Sequence, residues 1–163
     1  LGSNVAPRAD HLTAALERIG AVARVTAASS IYETEPVGME GAEDFLNMAV
    51  EIETDDDPPL LLAKLRAIEK ALGRRPASHL APRTIDIDIL LYRGMSYADH
   101  MVTVPHPELH RRRFALEPLN EIAPATLHPT MERTVAWLLR NCRDAHRVTL
   151  AGSLPEPAQL RTE

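Results

Sequence analysis

The sequence predicts an α+β fold, a mainly antiparallel sheet covered by helices, and two kinds of segment point to it. Short stretches alternate with period two, above all Thr84-Ile85-Asp86-Ile87-Asp88-Ile89-Leu90-Leu91-Tyr92, which reads as the best strand in the chain. Other stretches carry apolar residues at helical spacing, and the two kinds follow one another irregularly. The 163 residues suffice for one domain with its own core. The order of strands within the sheet stays open at this stage.

The opening Leu1-Gly2-Ser3-Asn4 has no initiating methionine, and a truncated first strand is the expectation. After Pro7, Leu12, Ala15, Leu16 and Ile19 recur at helical spacing until Gly20, so residues 7–19 should be helix. Val22 to Tyr32 reads as a strand, and residues 33–44, with Pro36, Gly38 and Gly41, as a mobile loop. From Phe45 the chain alternates again. Leu46, Met48, Val50 and Ile52 share one face, while Phe45, Asn47, Glu51 and Glu53 share the other, which is not core. Asp57-Pro58 starts a helix with a stripe of Leu61, Leu62, Leu65, Ile68 and Leu72, stopped by Gly73. An arginine- and proline-rich loop leads to Arg83 and the strand 84–92. Met101 to Val104 should be a short strand, Phe114 to Asn120 a short helix, and Thr134 to Asn141 a clearer helix. Residues 1–153 form the expected single domain, and 154–163, with two prolines, a loosely held tail.

Composition narrows the function classes. No apolar run approaches the ~20 residues of a membrane span, so a soluble protein is expected. Cys142 is the single cysteine, which excludes an internal disulfide and a cysteine zinc cluster. With no secretory signal at the start, the cytoplasm is the expected compartment. The net charge of -5 argues against nucleic acid and anionic membranes as partners. Local charge differs: Arg74, Arg75 and Arg83 form one cluster and Arg111, Arg112 and Arg113 another, which suits a small polyanionic substrate.

Asp86 and Asp88 carry the chemistry. Alternate strand residues face the same way with Cα atoms about 6.5–7 Å apart, so both carboxylates point away from the isoleucines. They can hold one Mg²⁺ between them or bracket a pair of ions. An isolated Asp-x-Asp is more often two solvated side chains; here aspartates interrupt strong strand formers directly after an arginine.

The run His79-Leu80-Ala81-Pro82-Arg83-Thr84-Ile85-Asp86-Ile87-Asp88-Ile89-Leu90 resembles the signature of the hydroxymethyldihydropterin pyrophosphokinases. Gly2-Ser3-Asn4, Tyr32-Glu33-Thr34 with Pro36 and Gly38, Phe45-Leu46-Asn47, and Val104-Pro105-His106 with Arg112 and Phe114 are similar to other blocks of that family, in order, as far as Pro124. Leu80-Ala81 stands where relatives often have a bulky residue and glycine, Glu35 where proline is common, and Pro107 where an aromatic can lie.

The resemblance implies a ferredoxin-like fold and transfer of the β,γ-diphosphate of ATP to the hydroxymethyl group of 6-hydroxymethyl-7,8-dihydropterin in folate biosynthesis. ATP is then co-substrate and Mg²⁺, as two ions, the cofactor at Asp86 and Asp88. Arg74, Arg83, His106 and Arg112 would act on the phosphates, with the split between Arg74 and Arg75 open. Glu69, Arg75, Ile89, Thr103, His106 and Arg112 would contact the nucleotide, and Thr34, Val37, Phe45, Asn47 and Phe114 the pterin, its ring between the two phenylalanines. A monomer is expected. Two rival readings are a nucleotidyltransferase of the polymerase-β type, whose Gly-Ser and Asp-x-Asp lie closer in sequence, and a non-catalytic ferredoxin-like binding domain, which has no need of both aspartates.

Overall fold

The computed structural model describes residues 1–39, 41–74 and 82–154. In chain order the elements are β1 (Gly2–Ser3), α1 (Arg8–Gly20), β2 (Arg24–Ala28), β3 (Ile31–Thr34), β4 (Phe45–Asn47), β5 (Val50–Glu53) and α2 (Pro58–Ala71). There follow β6 (Tyr97–Ala98), β7 (Thr103–Val104), a 3₁₀ turn (Leu109–Arg111), α3 (Arg113–Ile122), β8 (Leu127–His128), β9 (Arg133–Thr134), α4 (Val135–Arg140) and β10 (Val148–Gly152).

The expected strand Val22–Tyr32 is two strands, and the run from Phe45 breaks likewise at Met48-Ala49. β2 pairs with β5 and β3 with β4, all antiparallel, as Tyr32↔Asn47 and Thr34↔Phe45 show in one pair and Val25↔Ile52 in the other. At the jog, Ser29 N–H donates to the Ala49 carbonyl at 2.9 Å, and Ala49 N–H donates to the Ser29 hydroxyl at 2.9 Å instead of a carbonyl. A side chain thus replaces a ladder acceptor, which lets the ribbon turn from one sheet to the other.

β1 lies against the other edge of β4 (Gly2↔Asn47, Ser3↔Leu46) and forms one antiparallel bridge with Asp86. The order Asp86 segment, β1, β4/β5, β2/β3 is fourth-first-third-second along the β-α-β-β-α-β course of residues 2–90, which is the ferredoxin-like arrangement. β10 adds an outer strand on β3 (Val148↔Thr34) that the sequence did not suggest.

Residues 84–92 correct the reading of a strong strand. Asp86 alone bridges β1, and the Ile87 N–H goes to a side chain, Glu69 Oε1 at 2.7 Å. The alternation nonetheless persists in burial: Ile85 and Ile87 are buried, while Asp86 is partly exposed and Asp88 exposed.

The helices were more legible. Asp57 caps α2 by accepting the Leu60 N–H at 2.9 Å, Pro58 takes the first turn, and Gly73 leaves the helix with φ +89, where a Cβ would be strained. The apolar stripes Leu12, Ala15, Leu16, Ile19 of α1 and Leu61, Leu62, Leu65, Ile68 of α2 form one core with Val25, Met48, Ile85 and Ile87. Each buried Leu, Ile, Val or Met side chain among them contributes about 1.5–3 kcal/mol. A second core, where α3 and α4 bring Leu116, Leu119, Val135 and Leu138, includes Ala49, whose neighbour Met48 belongs to the first. Successive strand residues face opposite sides, so the sheet separates the two cores. A cavity of about 740 Å³ opens between β5 and residues 87–94, with Leu119 and Ile122 of α3 along it. The expected helix at 114–120 begins one residue earlier and ends two later, at Ile122, and no described helix is long and apolar enough to cross a membrane.

Candidate active site

The alternation that turns Ile85 and Ile87 into the first core turns the intervening carboxylate to the α3 side of the sheet. There a cleft of about 340 Å³ has Thr34, Val37, Phe45, Asn47 and Phe114 in its wall together with Arg83, Asp86, Asp88 and Arg112. Nine of the residues singled out from the sequence thus meet in one place.

The apolar half of the cleft rests on the strand pairing. Asn47 and Thr34 face the cleft from neighbouring strands, and the Asn47 amide donates to Thr34 Oγ1 at 2.7 Å. Both are buried, so the face that the alternation placed outside the core is covered here. Gly2 makes this possible: a Cβ there would stand 2.5 Å from Asn47 Oδ1 and 3.7 Å from the Phe45 ring. Phe114, at the start of α3, faces the cleft and also packs on the second core, with the Arg112 guanidinium 5.7 Å from its ring centroid. The α3 start is held by Asp144, which accepts the Arg113 N–H at 3.0 Å.

The charged half is built around Asp86. Arg74 reaches its Oδ1 at 2.8 Å, Arg83 bonds its Oδ2, and Arg66 lies 3.9 Å away. Burial works against the charge of Asp86, but the guanidiniums of Arg83, Arg74 and Arg66 outweigh it and hold the carboxyl below its ordinary range. Asn4 braces this wall: its Oδ1 accepts the Arg83 N–H at 2.7 Å and its own N–H donates to the Arg83 carbonyl at 3.1 Å.

His106 follows the Val104-Pro105 pair, its N–H bound to the Leu90 carbonyl at 2.8 Å. Its Nδ1 accepts the Glu108 N–H at 3.1 Å, so the neutral ring carries its proton on Nε2. Burial lowers its pKa most, Asp88 opposes this, and Arg112 adds to it. The neutral ring is therefore the dominant form at pH 7.

Other expected residues lie apart from the cleft wall. Glu69 is buried at the end of α2, its carboxylate engaged by Arg66, Arg74 and Ile87. Ile89 packs on the first core, and Thr103 is exposed on β7. Arg75, most of the loop before Pro82, and the tail from residue 155 fall outside the described residues. Arg66 was missed by the sequence reading, although its spacing of three from Glu69 on a helix was a signal. Asn4 stands in the Gly2-Ser3-Asn4 block, and nothing in its sequence context signals its bond to Arg83.

Among the described residues no three His, Cys, Asp or Glu side chains gather as a self-sufficient metal site. Two carboxylates at the edge of an open cleft nevertheless suit Mg²⁺, which keeps several waters and takes its remaining oxygens from substrate phosphates.

A model of the family described as 7,8-dihydro-6-hydroxymethylpterin-pyrophosphokinase matches residues 1–124. The chain belongs to this family. Among relatives of this pyrophosphokinase family, the 2-amino-4-hydroxy-6-hydroxymethyldihydropteridine pyrophosphokinase of Bacillus subtilis (strain 168) is 45% identical over 124 residues, covering 75% of this chain and 74% of the relative. That of Synechocystis sp. is 34% identical over 98% of this chain and 85% of its own. A crystal structure of an HPPK-DHPS in complex with substrates superposes with a TM-score of 0.69 at 17% identity, over 85% of this chain and 42% of that longer one. It supports the α+β fold. The stretch matched by the pyrophosphokinase family includes every described site residue, and ends before β8, β9, α4 and β10.

Proposed function

We propose that the chain transfers the β,γ-diphosphate of ATP to the hydroxymethyl group of 6-hydroxymethyl-7,8-dihydropterin, giving AMP and the pterin diphosphate, as a step of folate biosynthesis. The observation that carries this reading is the two-part cleft: a wall with two aromatic rings and an amide, chemistry that suits a flat heterocycle, meets a carboxylate and guanidinium wall suited to phosphate.

In this reading the pterin ring stacks between Phe45 and Phe114, and Asn47 presents its amide to the pyrimidine edge, with Thr34 and Val37 beside it. The hydroxymethyl oxygen then faces Asp86 and Asp88. It forms a bond to the β-phosphorus of ATP, the bond from that phosphorus to the oxygen bridging to the α-phosphate breaks with its electron pair leaving on AMP, and the hydroxyl proton passes to solvent water. AMP leaves. Asp86 and Asp88 would hold Mg²⁺, as two ions, which would supply charge that neutralises the phosphates. Arg74, Arg83 and Arg112 hold phosphate oxygens, and neutral His106 donates its Nε2–H to one. Ile89 and Thr103 are assigned to the adenosine and Arg75 to the phosphates. A monomer in the cytoplasm completes the proposal.

Incubation with the pterin alcohol, ATP and Mg²⁺ tests it, the expected products being AMP and the pterin diphosphate in equal amounts. Release of inorganic pyrophosphate with a nucleotidylated product would replace this reading by nucleotidyl transfer.

A further inference from the structure

Glu69 presents a problem that its place on a helix does not solve. A carboxylate with 1% of its surface exposed must be met by donors, and a merely stabilising one could be replaced by a packed apolar group. Its donors are specific. Oε1 accepts the Ile87 N–H at 2.7 Å, Arg66 Nη1 donates to both oxygens at 2.8 Å, and Arg74 bonds Oε1. Ile87 is the residue between Asp86 and Asp88. Arg66 and Arg74 are two of the guanidiniums around Asp86, and Arg83 is another.

We propose that Glu69 is a positioning residue for the carboxylates that take the divalent cation. Through the Ile87 N–H it fixes the backbone between Asp86 and Asp88. By holding Arg66 and Arg74 it limits their claim on Asp86, which can then exchange guanidinium for metal. Arg66, Arg74 and Arg83 balance Asp86, Asp88 and Glu69 in formal charge; without Glu69 the cations are in excess, and a divalent ion must compete with them for Asp86. The proposal rests on the reading of Asp86 and Asp88 as metal ligands.

The test is Mn²⁺ binding, followed by electron paramagnetic resonance at saturating non-hydrolysable ATP analogue, in the parent, Glu69→Gln and the double variant Glu69→Gln/Arg66→Ala. The amide of Gln keeps an oxygen for Ile87 and removes the charge. Glu69→Gln is expected to weaken Mn²⁺ binding about tenfold, the size of one partly screened charge. The Mg²⁺ concentration for half-maximal turnover rises alongside, and excess Mg²⁺ recovers most of kcat. Removing Arg66 in the same background restores at least part of the Mn²⁺ affinity, which a purely structural role of Glu69 does not predict. Parent-like Mn²⁺ affinity in a folded Glu69→Gln, or no recovery in the double variant, overturns the proposal. Should Glu69→Gln not fold, Arg66→Ala alone decides: two- to fivefold tighter Mn²⁺ binding supports competition, and unchanged or weaker binding refutes it. Failure of the parent itself to bind Mn²⁺ with the analogue would instead remove the metal reading beneath.

Discussion

Asn4 and Arg83, 79 residues apart in sequence, are joined by two hydrogen bonds: the Asn4 side chain accepts the Arg83 N–H at 2.7 Å, and the Arg83 carbonyl accepts the Asn4 N–H at 3.1 Å. This pairing extends the β1 bridge to the residue whose guanidinium holds Asp86. The Asn4 amide also reaches the Glu43 carbonyl at 3.4 Å, so one buried side chain touches both the arginine wall and the loop after β3.

Replacing Asn4 by Ala removes the acceptor that it offers the Arg83 N–H, and losing such a partly buried hydrogen bond costs about 0.5–1.5 kcal/mol. Chemical denaturation is expected to show a loss of that size, with faster hydrogen exchange at the Arg83 amide. Stability within ~0.3 kcal/mol of the parent would mean that water or a neighbour replaces the bond at little cost.

Asp86 and Asp88 should be equally essential for turnover and unequal for stability. Either Ala variant is expected to lose several orders of magnitude in kcat, since metal charge stabilisation is worth several kcal/mol. Asp88 is exposed, so Asp88→Ala should melt near the parent temperature. Asp86→Ala strips Arg74 and Arg83 of a shared partner and should shift the melt clearly. A variant at either position that keeps more than about a tenth of parent activity at saturating Mg²⁺ takes that aspartate out of the mechanism.

Local periodicity made part of this structure readable in advance. The stripes of α1 and α2, the Asp57 cap and the outward turn of Asp86 and Asp88 depend on residues a few positions apart. Pairing across long separations was not readable. Ser29 and Ala49 meet at the jog that splits both long strands, and Val148 finds Thr34 across more than a hundred residues. Residues 84–92 have the composition of a ladder strand, yet the Ile87 N–H is taken by Glu69 from α2, a partner that no pattern within the segment reveals. Arg66 escapes a reading of the sequence for the same reason: its significance lies in Asp86, twenty residues onward.

Asp144 sets a pH dependence. Burial pushes its carboxyl up, but the hydrogen bonds from the His146 ring, the His146 N–H and the Arg113 N–H prevail and lower it. A carboxyl depressed in the folded state contributes stability that is complete above its unfolded pKa, about 3.9, and is lost as pH falls through the lower folded value. The stability difference between parent and Asp144→Asn should therefore be present near pH 5 and shrink from about pH 4 downward. Other titrating carboxylates cancel in that difference. Denaturant midpoints that keep the same gap at pH 5, 4 and 3 would assign the effect to shape rather than charge.

The two phenylalanines give the sharpest test of the pterin wall because the structure places them differently. Phe45 sits on a short strand beside Gly2, half-covered, whereas Phe114 shares its ring between the cleft and the second core. Leucine keeps much of the apolar volume, so a core role should cost under about 1.5 kcal/mol of stability, while lost stacking costs roughly 0.5–1.5 kcal/mol of binding per ring. Phe45→Leu is expected to raise the pterin dissociation constant about two- to tenfold and leave the melting temperature nearly unchanged. Phe114→Leu should weaken pterin binding similarly and lower the melting temperature as well, because it also withdraws a ring from beside Arg112 and the second core. In Phe45→Leu Mg-ATP affinity should stay close to the parent's, whereas Phe114→Leu, which withdraws the ring beside the proposed phosphate contact Arg112, should weaken it modestly. Calorimetric titration with the pterin alcohol and, separately, with an ATP analogue measures both. If pterin affinity is unchanged while both variants lose stability, the rings serve only packing, and the cleft must hold its heterocycle elsewhere.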